Sequence, residues 1–383
     1  MRGRQSELSL EHSRKKRFLK NIGSFESVSW PLPHPLDFDW RFTIGTAEYL
    51  WNLARQLAKS SDQVILLGMT SLSTIAGKTS LWDGPITLLD RNARTGTMKP
   101  SGIRIIQNDI LRDKLPNIKA PLVLADPPWY EAEMIGFLWS AASMCRSDGY
   151  VAVSIPPVGT RPEIGIERVR IDEAAARFGL LPFGLYPNIL AYETPFFESN
   201  AFRAAGTSAS REWRRGDLAI YTRNSNSVGA RPANPPGPIW IERQLRGTRI
   251  RLQDGLVDEF EIPILKSIVT GDILPSVSRR DPRRANANVW TSGNRVFLCN
   301  GIRVLTLVID ALIEGEDPVD VVKSALSREL TDDEQQVIVV TSTQILNVVK
   351  CENGELQQHK RRLRASRKLA PAVDRPSALR RAG

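Results

Sequence analysis

The 383-residue chain has little of the side-chain chemistry on which metal, thiol or imidazole catalysis is built: three cysteines and three histidines. Cys145, Cys299 and Cys351 lie far apart, with no CxxC pair and no histidine at ligand spacing, which excludes a disulfide framework and a zinc site. His12, His34 and His359 fall outside the segments that pattern as the central fold, so a histidine base is not expected. No run of about 18 apolar residues occurs. The first twenty residues are basic and polar and lack the apolar stretch of a secretory signal. The expectation is a cytoplasmic protein with no membrane span and no metal.

Charge is abundant but unevenly placed. The net charge is +10. Residues 1–20 hold seven basic against two acidic side chains, and residues 359–383 hold nine against Asp374 alone. The basicity therefore lives in two arms around a slightly acidic body. Such arms suit phosphate contacts with DNA or RNA, or are simply solvated tails.

Composition is that of a globular chain, 42% hydrophobic and 25% charged, long enough for more than one domain. Thr46 is placed to cap a helix running to about Lys59. Seven short apolar runs follow: 64–69, 86–90, 103–106, 122–125, 150–155, 189–192 and 218–222. The first five are nearly continuous, as in parallel strands covered on both faces. The last two are separated by a polar stretch, 196–217, without a clear helical period, which suggests an antiparallel closing pair. The expected fold is α/β, a Rossmann-like, mostly parallel seven-stranded sheet.

Residues 224–238 (NSNSVGARPANPPGP) read as a linker. Beyond them, strands are expected within 240–260 and 289–298, and helices over 302–313, 318–329 and 332–349. Asp317 before Pro318, and Thr331 with Glu334, are helix-start patterns. The predicted organisation is a basic arm and lead-in (1–45), the α/β domain (46–223), the linker, an α+β module (239–358) and a basic disordered tail (359–383). A winged-helix-like reader fits the module's element order. Its last helix, however, shows Val, Thr, Gln and Asn where base-reading helices carry Arg and Lys, and a packing module fits better.

The segment Leu122-Val-Leu-Ala-Asp-Pro-Pro-Trp-Tyr130 carries the chemistry. An apolar strand delivers Asp126 to its carboxyl end, where open α/β sheets bind ligands. Pro127 and Pro128 have no N–H and fixed φ, so the turn offers carbonyl oxygens rather than a continued strand. A carboxylate beside a carbonyl can accept both N–H groups of an amino nitrogen and stabilise the positive charge that develops on it. Trp129, with Tyr130, offers a flat face for a planar heterocycle. Asp90 ends the second strand 22 residues after Gly68, close to the spacing at which an acid meets ribose hydroxyls. The hydroxyls of Thr70 and Ser71, with the N–H groups of a following helix start, suit a carboxylate.

At Asp126-Pro127-Pro128-Trp129 the sequence resembles class I S-adenosylmethionine-dependent amino-methyltransferases that act on adenine N6 or cytosine N4, the Trp form most resembling the adenine-N6 group. The resemblance covers about 46–223. It implies S-adenosyl-L-methionine as cofactor, with Asn108, Asp109 and Ile110 near its adenine, and DNA or RNA as partner, its target base unstacked beside Asp126 and Trp129. By the same resemblance, Tyr192-Glu193-Thr194-Pro195-Phe196-Phe197, after the sixth run, is the region that packs on that base; core packing of the two phenylalanines is the other reading. Arg214 and Arg215 cluster with Arg203 and Arg211, and Arg279, Arg280, Arg283 and Arg284 form a second group; either contacts phosphates or is a solvated face.

Two departures keep other readings open. The loop after the first strand has one glycine, Gly68, where the family shows several. The cofactor strands precede the DPPW turn, whereas permuted adenine methyltransferases place them after it. A strand and hydroxyl-rich loop short of glycines, then an acidic strand end, then a DPP-aromatic turn, also resembles the branched-polyamine synthases, which implies aminopropyl transfer to a small amine. A catalytically degenerate fold kept as an interaction scaffold is the third reading.

Overall fold

The computed structural model describes residues 30–78, 81–92, 103–225, 227–234, 237–253 and 261–369. Contacts divide these into two compact units. The first holds 30–31, Asp37–Thr194 and Glu212–Gly237; the second holds Leu32–Leu36, Pro195–Arg211 and 238–369.

The first unit is the expected α/β sheet, entered through helix α1 (Ile44–Leu57). Its cap is Thr43 rather than Thr46: the Thr43 hydroxyl accepts from Thr46 N–H, while Thr46 Oγ1 accepts from Ala191 N–H, 2.9 Å. Strands β1 (Val64–Leu67), β2 (Ile86–Asp90), β3 (Ile103–Gln107), β4 (Ala120–Ala125) and β5 (Cys145–Ile155) are parallel, with helix α2 (Thr70–Lys78) after β1 and α3 (Glu131–Met144) after β4. Helix α4 (Ile164–Arg177) precedes β6 (Leu180–Ala191), and β7 (Arg215–Arg223) inserts antiparallel between β5 and β6, giving the order β3-β2-β1-β4-β5-β7-β6. β6 starts nine residues before the apolar run at 189–192. Pro182, Gly184 and Pro187, with register shifts on either side of 184–186, break the alternation that marks a strand.

The buried central strands separate two apolar layers. Ile65, Leu67, Val123, Ala125, Val151 and Val153 pack with α3 and α4, and Leu66, Leu88, Leu122, Leu124 and Ala152 pack with α1 and α2. Beyond β7 the chain is stitched to the same unit. The buried Arg223 guanidinium donates to the carbonyls of Ala142, Phe178 and Ser227 at 3.1, 2.8 and 3.0 Å. Arg231 donates to Asp113 O and Ile110 O and lies over Trp139, whose Nε1 donates to Gly229 O. The described part of the stretch read as a linker is thus tied to this unit, because Arg231, Gly229 and Val228 find carbonyls, an indole and apolar surface, although much of it stays exposed.

The second unit contains helix α5 (Phe196–Ala204) and an antiparallel sheet of β8 (Trp240–Leu245), β9 (Thr248–Gln253), β10 (Ile264–Ser267), β11 (Val289–Thr291) and β12 (Val296–Asn300), in the order β10-β12-β11-β9-β8. Helices α6 (Ile302–Glu314), α7 (Pro318–Leu326) and α8 (Asp332–Leu369) follow. Asp317 caps α7, and Thr331 and Glu334 bond reciprocally at the start of α8. α8 continues to Leu369, so 359–369 is helix rather than the disordered tail expected from its basic composition, its Lys, Arg, Leu and Ala being good helix formers; the rest of that tail, 370–383, lies outside the described residues. No described helix is long and apolar enough to cross a membrane.

Candidate active site

β4 lies between β1 and β5, and the DPPW turn leaves its carboxyl end. Asp126 N–H still donates to Leu67 O, 3.0 Å, so the carboxylate starts from the last rung of the ladder. Its Oδ1 accepts the Ser154 hydroxyl and, at 2.8 Å, the Tyr192 hydroxyl. Its Oδ2 accepts no hydrogen bond from the described residues. The Pro127 carbonyl likewise accepts none among them, whereas that of Pro128 takes Tyr130 N–H at 2.8 Å. One carboxylate oxygen is therefore held, and the other stands with a carbonyl in the same turn.

Burial raises Asp126 to about 7, although hydrogen bonds from Ser154 and Tyr192 and the Arg214 charge oppose the rise; the Asp39 charge adds to it. Burial also holds Tyr192 well above its ordinary value, so it remains a donor. Ser154 is the single polar residue in the buried half of β5, in the run Val151-Ala-Val-Ser-Ile155.

Trp129 is half-buried rather than sealed in the core. Its Nε1 lies 3.4 Å from Ser154 Oγ, and its ring meets Tyr192 edge-on, centroids 5.5 Å apart. Gly216 on β7 lets it fit: a Cβ there would stand 2.8 Å from Trp129 Cζ2. The Arg214 guanidinium lies over three indoles, those of Trp40, Trp213 and Trp129, at 4.4, 5.1 and 5.6 Å from the ring centres.

Among the residues singled out as cofactor-binding, Gly68 has φ +69°, and a Cβ there would stand 3.2 Å from the Asp126 carbonyl. The loop between β1 and α2 is only Gly68-Met69, which is why one glycine is enough for the turn. The hydroxyls around it are largely spent: Ser71 Oγ accepts from Phe42 N–H, and those of Ser73 and Thr74 donate to Thr70 O. Asp90 is raised to about 7 by burial and by the Asp39 charge; its Oδ1 accepts Asn92 N–H, 2.7 Å. Asp109 caps its own turn through Leu111 N–H. Ile110 is core, and its carbonyl accepts the Ser140 hydroxyl. Asn108 is buried and, among the described residues, its Oδ1 has no partner.

Of the substrate candidates, Tyr130 is half-buried beside Phe38, and Arg215 is exposed with Glu212 3.9 Å away. Phe196 and Phe197 are 3% and 0% exposed and open helix α5 of the second unit. Core packing explains both rings. Among the arginines of that unit, Arg203 pairs with Glu355, Arg283 with Asp281, and Arg284 lies over Trp290.

Sequence reading missed Ser154 and the lead-in Asp37-Phe-Asp-Trp40, and it placed Tyr192 in the base-packing segment without its bond to Asp126. A polar residue in an otherwise apolar strand was the available signal for Ser154. The lead-in carried none, because only the fold brings it to the strand ends. Among the described residues no group of acids, histidines and cysteines is arranged to hold a metal.

No family model matches the chain, and no curated protein does. Among solved structures it is similar to the branched-chain polyamine synthase from Thermus thermophilus in complex with N4-aminopropylspermidine and 5'-methylthioadenosine, at 12% identity over 57% of this chain and 67% of that one, TM-score 0.44. For the C9 mutein of that synthase the shared span is 66% of its length. A putative RNA methyltransferase from Pyrococcus horikoshii matches at 15% identity over 56% of this chain and 98% of that one, TM-score 0.39. An N-methyltransferase from Bradyrhizobium japonicum matches at 12%, over 48% and 98%, TM-score 0.30.

Proposed function

We propose that the first unit is an S-adenosylmethionine-dependent transferase acting on an amino nitrogen, and that its acceptor is the N6 amino group of adenine in DNA or RNA. The observation that carries this reading is the half-held carboxylate: Asp126 Oδ1 is fixed by Ser154 and Tyr192, while Oδ2 stands ready in the same turn as the Pro127 carbonyl.

The residues present fit the cofactor. Among the described residues, Asp90 offers one unpartnered carboxylate oxygen to ribose hydroxyls, and Asn108 Oδ1 is an orphaned buried acceptor of the kind an adenine amino group satisfies. When bound, the sulfonium supplies an electrophilic methyl group and becomes a neutral thioether on losing it. Asp126 and the Pro127 carbonyl would receive the two N–H groups of the acceptor, which points its lone pair away from them. As nitrogen becomes cationic, Asp126 stabilises the charge and takes the proton for release to water. Trp129 supplies the stacking face. The basic arms at 1–20 and 359–383, only partly within the described residues, would hold phosphates.

The test is transfer of labelled methyl to polynucleotide by purified protein, abolished by Asp126→Ala. Protein shown to bind the cofactor that labels no nucleic acid would rule out the base as acceptor. A small aliphatic amine is the second reading, favoured by Asp37 and Asp39, whose charges act on Asp90. Transfer to spermidine from decarboxylated S-adenosylmethionine, without transfer to polynucleotide, would decide for it.

A further inference from the structure

The segment Asp37-Phe38-Asp39-Trp40 is laid across the strand ends of the first unit. Asp37 pairs with Arg91, the residue after β2, at 3.7 Å. Phe38 meets the Tyr130 ring edge-on at 5.7 Å, beyond β4. Trp40 stacks on Arg214, which also lies over Trp129. Successive contacts thus run from the end of β2 to the turn after β4, and β1 with its Gly68 turn lies between those strands. Asp39 stands between Phe38, against Tyr130 of the turn after β4, and Trp40, whose partner Arg214 also covers Trp129.

The segment is firmly fastened. Phe42 bridges to Tyr192, Thr43 N–H donates to Ala191 O, and Glu193 N–H donates to Arg41 O. Phe38 bends the backbone with φ +56°, a conformation that costs a non-glycine residue energy and persists only where its surroundings impose it. Arg41 grips one oxygen of Asp39, Nε at 3.1 Å and Nη2 at 2.8 Å, both to Oδ2, and is itself anchored on Pro31 O. Among the described residues Asp39 Oδ1 has no partner. The Asp39 charge helps to raise both Asp90 and Asp126.

We infer that Asp39 is a cofactor-facing acid whose free oxygen lies against the sulfonium side of S-adenosylmethionine, making the site prefer the cationic cofactor to its neutral demethylated product. The assignment rests on the transferase reading above. It gives the lead-in a function as the wall that closes the site over β1 and supplies a counter-charge there.

Calorimetric titration of the full-length protein with S-adenosylmethionine and with S-adenosylhomocysteine tests this without measuring turnover. Asp39→Asn should weaken S-adenosylmethionine about tenfold and leave S-adenosylhomocysteine nearly unchanged, because only the former carries charge at sulfur. Asp39→Glu, which keeps the charge, should stay within about threefold of wild type for both. Equal losses for the two ligands in Asp39→Asn, or no loss for either, would overturn the assignment while leaving the transferase reading intact. Wild-type protein that binds neither ligand would overturn both.

Discussion

Each unit sets an acid among hydroxyls, and the two acids are finished differently. Asp126 in the first unit and Glu352 in the second are both raised to about 7, mainly by burial. Glu352 is closed on both sides: Oε1 accepts the Thr291 hydroxyl and lies 3.7 Å from Arg295, and Oε2 accepts the Ser292 hydroxyl at 3.2 Å. Arg295 is in turn held by Glu355, with both contacts at 2.9 Å. Asp126 has the same kind of partners on one oxygen only. A shifted acid is therefore not by itself a sign of chemistry. The difference lies in whether every lone pair is spoken for.

The largest expected effect breaks the pair apart by activity. Asp126→Ala should lower methyl transfer by about a hundredfold or more, the scale seen when a group stabilising developing charge is removed. Glu352→Gln should leave the rate within about twofold, and an equal loss in both variants would refute the distinction.

Next comes stability. Glu352→Ala leaves Thr291, Ser292 and the buried Arg295 short of a partner, and should cost the second unit about 2–4 kcal/mol in denaturant unfolding. Asp126→Asn should instead stabilise the first unit above pH 7, on the order of 1–3 kcal/mol, because it removes a buried charge kept for function.

The pH dependence follows from the same shifts. Both acids titrate near 7 when folded but near their ordinary values when unfolded. Between about pH 4 and 7 the folded chain therefore holds protons that the unfolded chain has lost, and stability falls as pH rises through that window. Asp126→Asn and Glu352→Gln should each flatten the decline in the melting temperature. Transfer should run the other way, rising with pH through about 7 as Asp126 ionises.

The smallest effect sharpens the site's geometry. Gly216→Ala places a methyl against Trp129, and should reduce transfer about tenfold while costing roughly 1–3 kcal/mol of stability. Unchanged transfer would show that the indole does not need its observed position.

The parallel strands were legible because they are short, apolar and bounded by Asp or Gly, and the DPPW turn stood out as an acid delivered by such a strand. β6 was only partly legible, since two prolines and its bulges hide the alternation. Helix α5 was not, as its polar stretch shows no period. The second half of the site was out of reach: Ser154 and Tyr192 lie 28 and 66 residues from Asp126, and only the pairing of β4, β5 and β7 with the end of β6 brings them to one carboxylate. Asp39 precedes the first helix, in what composition alone suggests is a lead-in.

Arg223 shows how economically the first unit is closed. In addition to the Gly179 turn that ends α4 at φ +72°, one side chain here ties down the last peptides of α3 and α4 and the strand's own exit. Three chain ends consequently share a single knot. Exchanging it for methionine would keep the bulk and untie all three together, so fraying should begin at that corner and reach the far ends of the helices last.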